Sequence, residues 1–153
     1  MRWLETRIPP LVVVAIFAAA MWGLRLAAPA LTTPYAGNLW IALVLLVAGV
    51  LVMEEGARQF RRARTTVNPL HPEKATTIVD TGIFRISRNP MYVGMLLMLV
   101  GWSAYLANVV TLTGPVLFIL YMNRFQIRPE ERALTQVFGA PYRAYLGRVR
   151  RWI

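Results

Sequence analysis

The sequence predicts an all-α polytopic membrane protein with four transmembrane helices and a cytoplasmic carboxyl-terminal pair of short amphipathic helices. Hydrophobic residues make up 57% of the 153 residues, and the mean hydropathy is +0.48. Charged residues make up 16%, whereas a soluble domain has roughly a quarter. The charges are also clustered, so that long apolar runs separate them. The net charge of +10 favours an acidic partner or an acidic membrane surface.

The first two helices are predicted from two charge-free runs. Seventeen residues lie between Arg7 and Arg25, and 28 lie between Arg25 and Glu54. Because a helix needs roughly 20 residues to cross a bilayer core, we expect helices at about residues 8–28 and 38–53, with Arg25 reaching to the interface. A signal peptide is the alternative for the first run. It is disfavoured because the run is long and no small-residue cleavage site follows it.

The last two helices are predicted from the longest charge-free run, the 35 residues from Asn89 to Asn123. We expect a tight helical hairpin with helices at about residues 91–107 and 109–123 and a turn at Asn108. Polar or bending residues lie close to this turn, namely Thr111, Thr113, Gly114 and Pro115. A re-entrant hairpin is the competing interpretation, since 35 residues are slightly few for two full spans.

Two polar regions flank the hairpin, a loop at residues 54–90 and a tail at residues 124–153. The arginines of residues 58–64 indicate a helical continuation of the second helix and contact with anionic lipid. Turn residues follow, with a short extended piece predicted at residues 76–79 and His71 in the loop. Prolines predict the starts of two tail helices, at Pro129 and Pro141, and Gly139 predicts the end of the first.

The second tail helix is predicted to lie at the membrane interface. Its apolar face includes Tyr142 and Tyr145, and Trp152 would act as an anchor. No internal repeat or low-complexity linker interrupts the chain. We therefore expect residues 1–153 to form a single domain.

The distribution of cations predicts the orientation. All arginines and the single lysine, except Arg25, precede the first helix or lie in the loop and the tail, which four spans place on one side. The positive-inside rule makes that side cytoplasmic, together with both termini. We expect an integral protein of a bacterial or archaeal cell membrane, with the lipid bilayer as its partner. Nothing favours nucleic acid, and the oligomeric state stays open.

Cysteine and histidine usage excludes several kinds of chemistry. The chain has no cysteine and one histidine, His71. A disulfide framework, a thiolate nucleophile and a cysteine- or histidine-rich metal centre are therefore excluded, and no metal site is predicted.

Polar residues at the two ends of the hairpin predict a ligand site. A short hairpin brings its ends together at one face, so residues 82–94 meet residues 124–131. Arginines there can grip a carboxylate or a phosphate, and glutamates can accept from an ammonium or lie near a cationic centre. The alternative is that these charges serve only topology and the helix dipole. The residue types thus predict a polar site at the mouth of a helix bundle, and they leave its ligand open.

The segments around the hairpin also resemble a known protein family. Around the hairpin the chain has, in order, Gly82-Ile83-Phe84-Arg85, Arg88-Asn89-Pro90-Met91-Tyr92-Val93-Gly94, Arg128-Pro129-Glu130-Glu131 and Phe138-Gly139, followed by Tyr142 and Tyr145. This ordered set resembles the integral-membrane methyltransferases of the isoprenylcysteine carboxyl methyltransferase and phospholipid methyltransferase group. It covers about residues 81–152, and the first two helices add nothing specific. That group usually has histidine at the position of Asn89, so hydrogen bonding rather than proton transfer is expected there.

The resemblance implies S-adenosyl-L-methionine as cofactor, bound at the cytoplasmic end of the last helices. It implies methyl transfer to a lipophilic small molecule or lipid-linked substrate, such as an isoprenylcysteine carboxylate or a phospholipid amine. The expected cofactor-binding residues are Arg88, Asn89, Tyr92, Gly94, Glu131, Tyr142 and Tyr145. The expected catalytic residues are Arg85, Arg128 and Glu130.

These residues have different implied roles. Glu131, or the adjacent Glu130, would meet the ammonium or ribose of the cofactor, and Arg85 or Arg128 would orient an anionic acceptor. The two tyrosines would form a lid, unless they are interfacial anchors. Because a sulfonium is already an activated leaving group, the protein would contribute mainly positioning and exclusion of water.

Two other functions remain as alternatives. Steroid-reductase-like membrane enzymes have a similar hairpin and arginine pattern and use NADPH. A small four-helix multidrug exporter fits the length and the helix count, but it needs a carboxylate within a span. The acidic residues nearest to a span, Glu54 and Glu55, lie at a helix end.

Overall fold

The computed structural model describes residues 5–65 and 74–153, and these residues form helices and turns without a strand. The all-α prediction is confirmed, whereas His71 lies outside the described residues. In chain order the helical elements are α1 (Pro10–Ala27), α2 (Asn38–Arg62), α3 (Pro90–Leu106), α4 (Thr113–Tyr121), a π-helical segment (Met122–Ile127), α5 (Arg128–Phe138) and α6 (Ala140–Arg148). Short 3-10 turns lie at Pro29–Leu31, Gly82–Arg85 and Val109–Leu112.

The first four helices form an up-and-down bundle. At one end, the Thr6 N–H donates to the Phe125 carbonyl over 3.0 Å, which places the start of α1 beside the end of α4. At the other end, the Thr33 N–H donates to the Ala107 carbonyl over 2.7 Å, which joins the α1–α2 connection to the α3–α4 turn. α3 lies in the centre of the bundle because it contacts α1, α2 and α4.

Glycines allow α2 and α3 to approach at backbone distance. A Cβ added to Gly49 would lie 2.6 Å from the Gly94 carbonyl oxygen, and one added to Gly94 would lie 2.5 Å from the Gly49 carbonyl oxygen. Two further glycines also leave no room for a Cβ along this crossing: Gly101 faces the Ala42 carbonyl, and Gly56 faces Met91. Small residues at such positions maximise van der Waals contact between apolar helices. This crossing is the most extensive helix contact among the described residues.

A hydrogen bond and close side-chain packing hold α1 against the α3–α4 hairpin. The Trp102 indole N–H donates to the Ala18 carbonyl over 3.0 Å. Met21 is 1% exposed, and its sulfur occupies the space beside Gly114, where a Cβ would lie 2.4 Å from it. Gly114 therefore acts as a packing position for α1 rather than as a bend, since α4 runs through it without interruption.

Asn108 organises the turn that the sequence predicted at this position. Its amide nitrogen donates to the Ala28 carbonyl over 2.8 Å and to the Thr32 hydroxyl over 3.0 Å. Its amide oxygen accepts from the Val110 N–H over 3.1 Å. Ala107 precedes it with a left-handed φ of 49° and ends α3. Because a 3-10 turn follows, the returning helix begins at Thr113 rather than at the predicted residue 109.

The polar regions differ from the prediction in their helix ends. α2 continues to Arg62, beyond the expected end at residue 53, which agrees with the helical continuation expected for the arginine-rich stretch. The expected break at residue 124 is absent, because α4 continues through the π-helical segment into α5. Residues 76–79 form no strand.

The π-helical segment explains how a proline follows without a break. Pro129 has no N–H for the carbonyl of Phe125, four residues earlier, and its ring crowds that carbonyl. The wider π turn before Pro129 changes the hydrogen-bond register there. The Phe125 carbonyl instead accepts from the Thr6 N–H. Pro129 therefore lies inside a continuous helix instead of starting a separate one.

α6 packs on the protein through its two tyrosines. Tyr142 and Tyr145 are 6% and 4% exposed. Trp152 donates from its indole N–H to the Asn123 amide oxygen over 3.1 Å and contacts the core. The expected interfacial face and tryptophan anchor are therefore used for internal contacts.

Two helices are long and apolar enough to cross a membrane. These are α1 and the apolar part of α2. Their most apolar stretches of 18 residues have mean hydropathies of 1.9 and 2.1, and 17% of the residues in each stretch are buried within the described protein. α3 is apolar but has 17 residues, and α4 has nine. The structure thus gives two candidate spans among the described residues rather than the predicted four. Exposed side chains such as Trp40 and Val44, at 71% and 66%, require an apolar environment, as an integral membrane protein has.

We expect Gly49→Ala to destabilise the bundle by about 1–3 kcal/mol, the usual cost of overpacking. The new methyl group would overlap the Gly94 carbonyl, which is backbone and cannot turn away. Gly23→Ala in α1 is the matched control, since nothing lies within 4 Å of the added Cβ. Thermal unfolding of both variants in detergent measures the difference. Equal melting temperatures would contradict a tight crossing.

Candidate active site

The polar end of the α3–α4 hairpin places a carboxylate against a phenol and an amide. Pro90 begins α3, where its fixed φ and missing N–H suit the first turn. Two residues later, the Tyr92 hydroxyl donates to Glu130 Oε1 over 2.5 Å. Gln126 Nε2 donates to the same oxygen over 2.5 Å. The structure thus brings together Tyr92 and Glu130, which the sequence singled out separately.

The environment of Glu130 changes its protonation. Burial raises its pKa to about 7, although the hydrogen bonds from Tyr92 and Gln126 act in the opposite direction, and the nearby Glu131 carboxylate raises it further. At neutral pH the group is therefore divided between the acid and the carboxylate. No lysine or arginine in the described parts of the chain forms an ion pair with it. A cation beside Glu130 would stabilise the carboxylate form.

The adjacent Glu131 is paired with two arginines. Arg88 Nη2 donates to Glu131 Oε1 over 2.8 Å, and Arg151 Nη2 donates to Oε2 over 2.6 Å. The side chains of Glu131 and Arg88 are 15% and 11% exposed, so water screens this pair weakly. Arg88 Nη1 also donates to the carbonyls of Leu146 and Val149, over 2.6 and 3.0 Å. Arg88 Nε is buried and has no partner among the described residues.

Residues 149–152, which we call the strap, cross the entry to α3. The Arg88 N–H donates to the Arg150 carbonyl over 2.9 Å. The Asn89 amide nitrogen donates to the Arg151 carbonyl over 2.8 Å. Ser87 and Arg150 form a parallel bridge beside these bonds. Asn89, expected to bind the cofactor, therefore holds the strap in this structure.

The two tail tyrosines line a small apolar cavity beside Arg88. The Tyr145 hydroxyl donates to the Phe84 carbonyl over 2.8 Å, and its ring lies 5.9 Å from that of Tyr142. Burial raises the pKa of both phenols, so they are neutral at physiological pH. The cavity has a volume of about 60 Å³, and Leu134 and Phe138 contribute further walls. This position is compatible with the expected lid.

Three expected site residues lie away from the carboxylates. Arg85 is exposed in the 3-10 turn, in a depression that it shares with Asp80 and Arg148. Arg128 is exposed on the outward face of α5. Gly94 lies at the α2–α3 crossing, where it faces the backbone of α2.

Two residues of the cluster were not among the expected site residues. Gln126 precedes Glu130 by four positions, and this spacing on a helix indicates a shared face. Arg151 is one of three arginines in residues 148–151, and no local pattern distinguishes it from the other two. Its role depends on the strap, which is a tertiary feature.

An apolar groove opens sideways between α1, α2 and α3. Its volume is about 370 Å³, and its walls include Val14, Leu43, Leu46, Met98 and Trp102. The α3 residues that line it begin nine positions after Asn89 and end at Tyr105. At 1.5 Å per residue, the groove lies about 14 to 24 Å from Asn89 along α3.

An apolar helical bundle with a buried carboxylate and arginine cluster at one end defines a membrane protein with an enzyme-like site. The model of the family described as phospholipid methyltransferase matches residues 37–141. The chain therefore belongs to the phospholipid methyltransferase family. The match confirms the resemblance found in the sequence, identifies the class of chemistry as methyl transfer, and supports neither the reductase nor the exporter alternative.

Individual relatives agree with this family. A probable protein-S-isoprenylcysteine O-methyltransferase of Oryza sativa is 30% identical over 113 residues, which cover 72% of this chain and 58% of the relative. Protein-S-isoprenylcysteine O-methyltransferase A of Arabidopsis thaliana is 29% identical over 69% of this chain and 55% of its own length. An uncharacterized protein of Haemophilus influenzae is 44% identical over 63 residues, 41% of this chain and all of the relative.

The matches to the plant methyltransferases cover only part of those proteins. The chain spans 55 to 58% of the length of the plant methyltransferases. No solved structure shows significant similarity to it.

We expect the stability of the protein to fall as the pH rises from about 5 to 7, because the folded state raises the pKa of Glu130 from 4.5 to about 7. In this window the folded state binds more protons than the unfolded state, so deprotonation favours unfolding by up to about 1.4 kcal/mol per pH unit. Glu130→Gln keeps both hydrogen bonds to its side-chain oxygen and should remove this part of the dependence. Denaturant unfolding across the pH range would measure it. Parallel curves for both proteins would show that Glu130 is not the titrating group.

Proposed function

We propose that the chain catalyses S-adenosyl-L-methionine-dependent methyl transfer to a lipophilic or lipid-linked acceptor at the cytoplasmic face of a membrane. The observation that carries this proposal is a carboxylate without a cation beside a buried guanidinium N–H without an acceptor, both at the polar end of the hairpin. Glu130 has no cationic partner among the described residues, and Arg88 has a buried donor without an acceptor. The family supports methyl transfer as the chemistry.

The residues present fit the charges of S-adenosyl-L-methionine. Glu130 would hold its ammonium or sulfonium, because a cation beside this carboxyl group favours its ionised form. Arg88 Nε would donate to its carboxylate, with Arg151 close by. The cavity beside Tyr142 and Phe138 supplies aromatic surface for a flat base, and it would have to widen to admit one. The cofactor, when bound, supplies a methyl group on an activated sulfur.

This assignment revises the order of the two glutamates. The sequence favoured Glu131 for the cofactor, with Glu130 as the neighbour. Because Glu131 already accepts from Arg88 and Arg151, we assign it to positioning Arg88. Glu130 is then the carboxylate that meets the cationic group.

The other residues hold the reacting groups and exclude water. The strap and the tyrosines of α6 cover the entry to α3, and Tyr92 fixes the orientation of the Glu130 carboxyl. An acceptor carboxylate or free amine attacks the methyl carbon in line and needs no strong base. Positioning of this kind supplies roughly 7 to 11 kcal/mol in favourable cases.

The topology that suits this function has four crossings and cytoplasmic termini. The alternating directions of α1 to α4 in the bundle support this topology. One end of the bundle contains the start of α1, the end of α4 and the arginine-rich end of α2. Most cations lie at that end, as the positive-inside rule requires of a cytoplasmic side. α3 would cross between α1, α2 and α4, and α4 would cross at the edge of the bundle, where Val116, Leu117 and Leu120 are exposed.

The groove supports a lipophilic acceptor. A chain lying in it would extend along α3 from about 14 to 24 Å beyond Asn89, which suits a long prenyl or acyl group whose polar end is methylated. The acceptor would enter sideways from the bilayer, while the water-soluble cofactor would enter from the cytoplasm. Both an isoprenylcysteine carboxylate and a phospholipid amine have this build.

Glu130→Gln should weaken S-adenosyl-L-methionine binding by about 1.5–3 kcal/mol, the range for a hydrogen bond to a charged group. Calorimetry on detergent-purified protein at pH 8 would measure it. Glu54→Gln is the control, because Glu54 is exposed and pairs with Arg61. S-adenosylhomocysteine lacks the positive sulfur, so a larger loss for S-adenosyl-L-methionine would assign Glu130 to the sulfonium, and an equal loss would assign it to the ammonium. Unchanged affinity would remove Glu130 from the site, and binding of NADPH alone would refute the proposed cofactor.

Leu43→Trp should raise the KM for a long-chain acceptor severalfold and leave cofactor affinity unchanged, because the larger ring fills the groove. Leu51→Trp makes the same substitution on α2 at a lipid-facing position outside the groove. Transfer of a labelled methyl group to prenylcysteine or to phosphatidylethanolamine measures both variants and identifies the acceptor. Identical KM values for the two variants would exclude the groove as the acceptor site.

A further inference from the structure

Three arginines form a cationic pocket on the outward face of the π-helical segment and α5. This pocket lies apart from the carboxylate cluster. Arg124, Arg128 and Arg132 are spaced by four residues and therefore share one helix face. With Glu5 and Gln136 they line an open pocket of about 690 Å³. We call this the arginine pocket.

The arginine pocket already holds one carboxylate of the chain. Arg124 Nη1 donates to Glu5 Oε1 over 2.8 Å, and Arg132 Nη2 donates to Glu5 Oε2. The hydrogen bond from Arg124 lowers the pKa of Glu5, so Glu5 is ionised at neutral pH. The Glu5 side chain is 13% exposed, whereas those of Arg124 and Arg132 are 44% and 57% exposed. The arginines thus hold an oxyanion and still reach outward.

Charge in the arginine pocket remains unbalanced. Among the residues that the structure describes, Glu5 is the only acidic one that lines it, against three arginines. The Arg128 guanidinium is exposed and has no ion pair or hydrogen bond with any residue the structure describes. A planar guanidinium offers paired donors that match a phosphate better than a single point charge does.

The position of the arginine pocket corresponds to the headgroup level of a bilayer. Arg124 follows the last residue of α4 by three positions, and Glu5 precedes the first residue of α1 by five. The Arg124 guanidinium lies over the ring of Phe125, 5.3 Å from its centroid. Apolar helices therefore end on both sides of the pocket, where phosphates of membrane lipids are concentrated.

We propose that the arginine pocket binds the phosphate of an anionic membrane phospholipid, with Arg128 as its main ligand and Arg124 and Arg132 beside it. Basic pockets between helices at the cytoplasmic side suit such headgroups. Glu5 repels the phosphate and limits its affinity. The arginine pocket lies on a different helix face from Glu130, so the bound lipid is separate from the methyl acceptor.

Native mass spectrometry of the detergent-purified full chain tests this proposal with phosphatidylglycerol and with phosphatidylcholine of the same acyl chains. We expect tighter binding of phosphatidylglycerol, and we expect Arg128→Gln to weaken it about fivefold, which corresponds to about 1 kcal/mol for one cation. Arg143→Gln removes the same charge from an exposed position on α6, outside the pocket, and should have little effect.

Two further measurements decide the outcome. Glu5→Gln should tighten phosphatidylglycerol binding, because it removes the negative charge beside the phosphate, and circular dichroism checks that the variants fold. Equal weakening by Arg128→Gln and Arg143→Gln would show nonspecific charge attraction and overturn the site. Displacement of the lipid by millimolar inorganic phosphate would overturn the lipid as the source of the phosphate. None of these results depends on whether the chain binds S-adenosyl-L-methionine.

Discussion

The buried guanidinium of Arg88 joins the parts of the protein that make up the candidate active site. It lies two residues before α3, donates to Glu131 of α5, and donates to two carbonyls at the end of α6. These bonds place the tail over the mouth of the hairpin. Groups from distant parts of the chain accept from its two terminal nitrogens, whereas Nε has no partner among the described residues. The positions of Glu131 and of the tail therefore depend on a residue that belongs to none of the long helices.

The sequence predicted the features that follow from local chemistry. Charge-free runs located the helices, Asn108 marked the turn, and the ordered motif placed Tyr92, Glu130 and Glu131 at one end of the hairpin. The fate of Arg85 and Arg128 was not predictable, because two arginines with the same local surroundings face inward or outward according to how the helix rotates. Gly94 illustrates the same limit. A glycine in a motif indicates close approach, but its neighbour proved to be the backbone of α2.

The observed helix ends and buried faces also differ from the predicted ones, because both depend on contacts with distant parts of the chain. A proline usually indicates a helix start, yet Pro129 lies within a continuous helix because a π turn and a distant N–H meet the carbonyl that it leaves without a partner. Similarly, the amphipathic pattern of α6 indicates a buried face without saying what buries it. Protein and lipid both satisfy an apolar face, and the choice depends on tertiary contacts such as that between Tyr145 and Phe84.

The hydrogen bond between Thr6 and Phe125 has a consequence for assembly. During synthesis the segment that supplies the donor emerges first, and the carbonyl that needs it emerges more than a hundred residues later. Until the two meet, the π turn carries an unmet carbonyl near Gln126 and Glu130. The Phe125 carbonyl therefore gains this partner only after both segments have emerged and α1 lies beside α4. Packing of α1 thus completes the hydrogen bonding of the helix that carries Gln126 and Glu130.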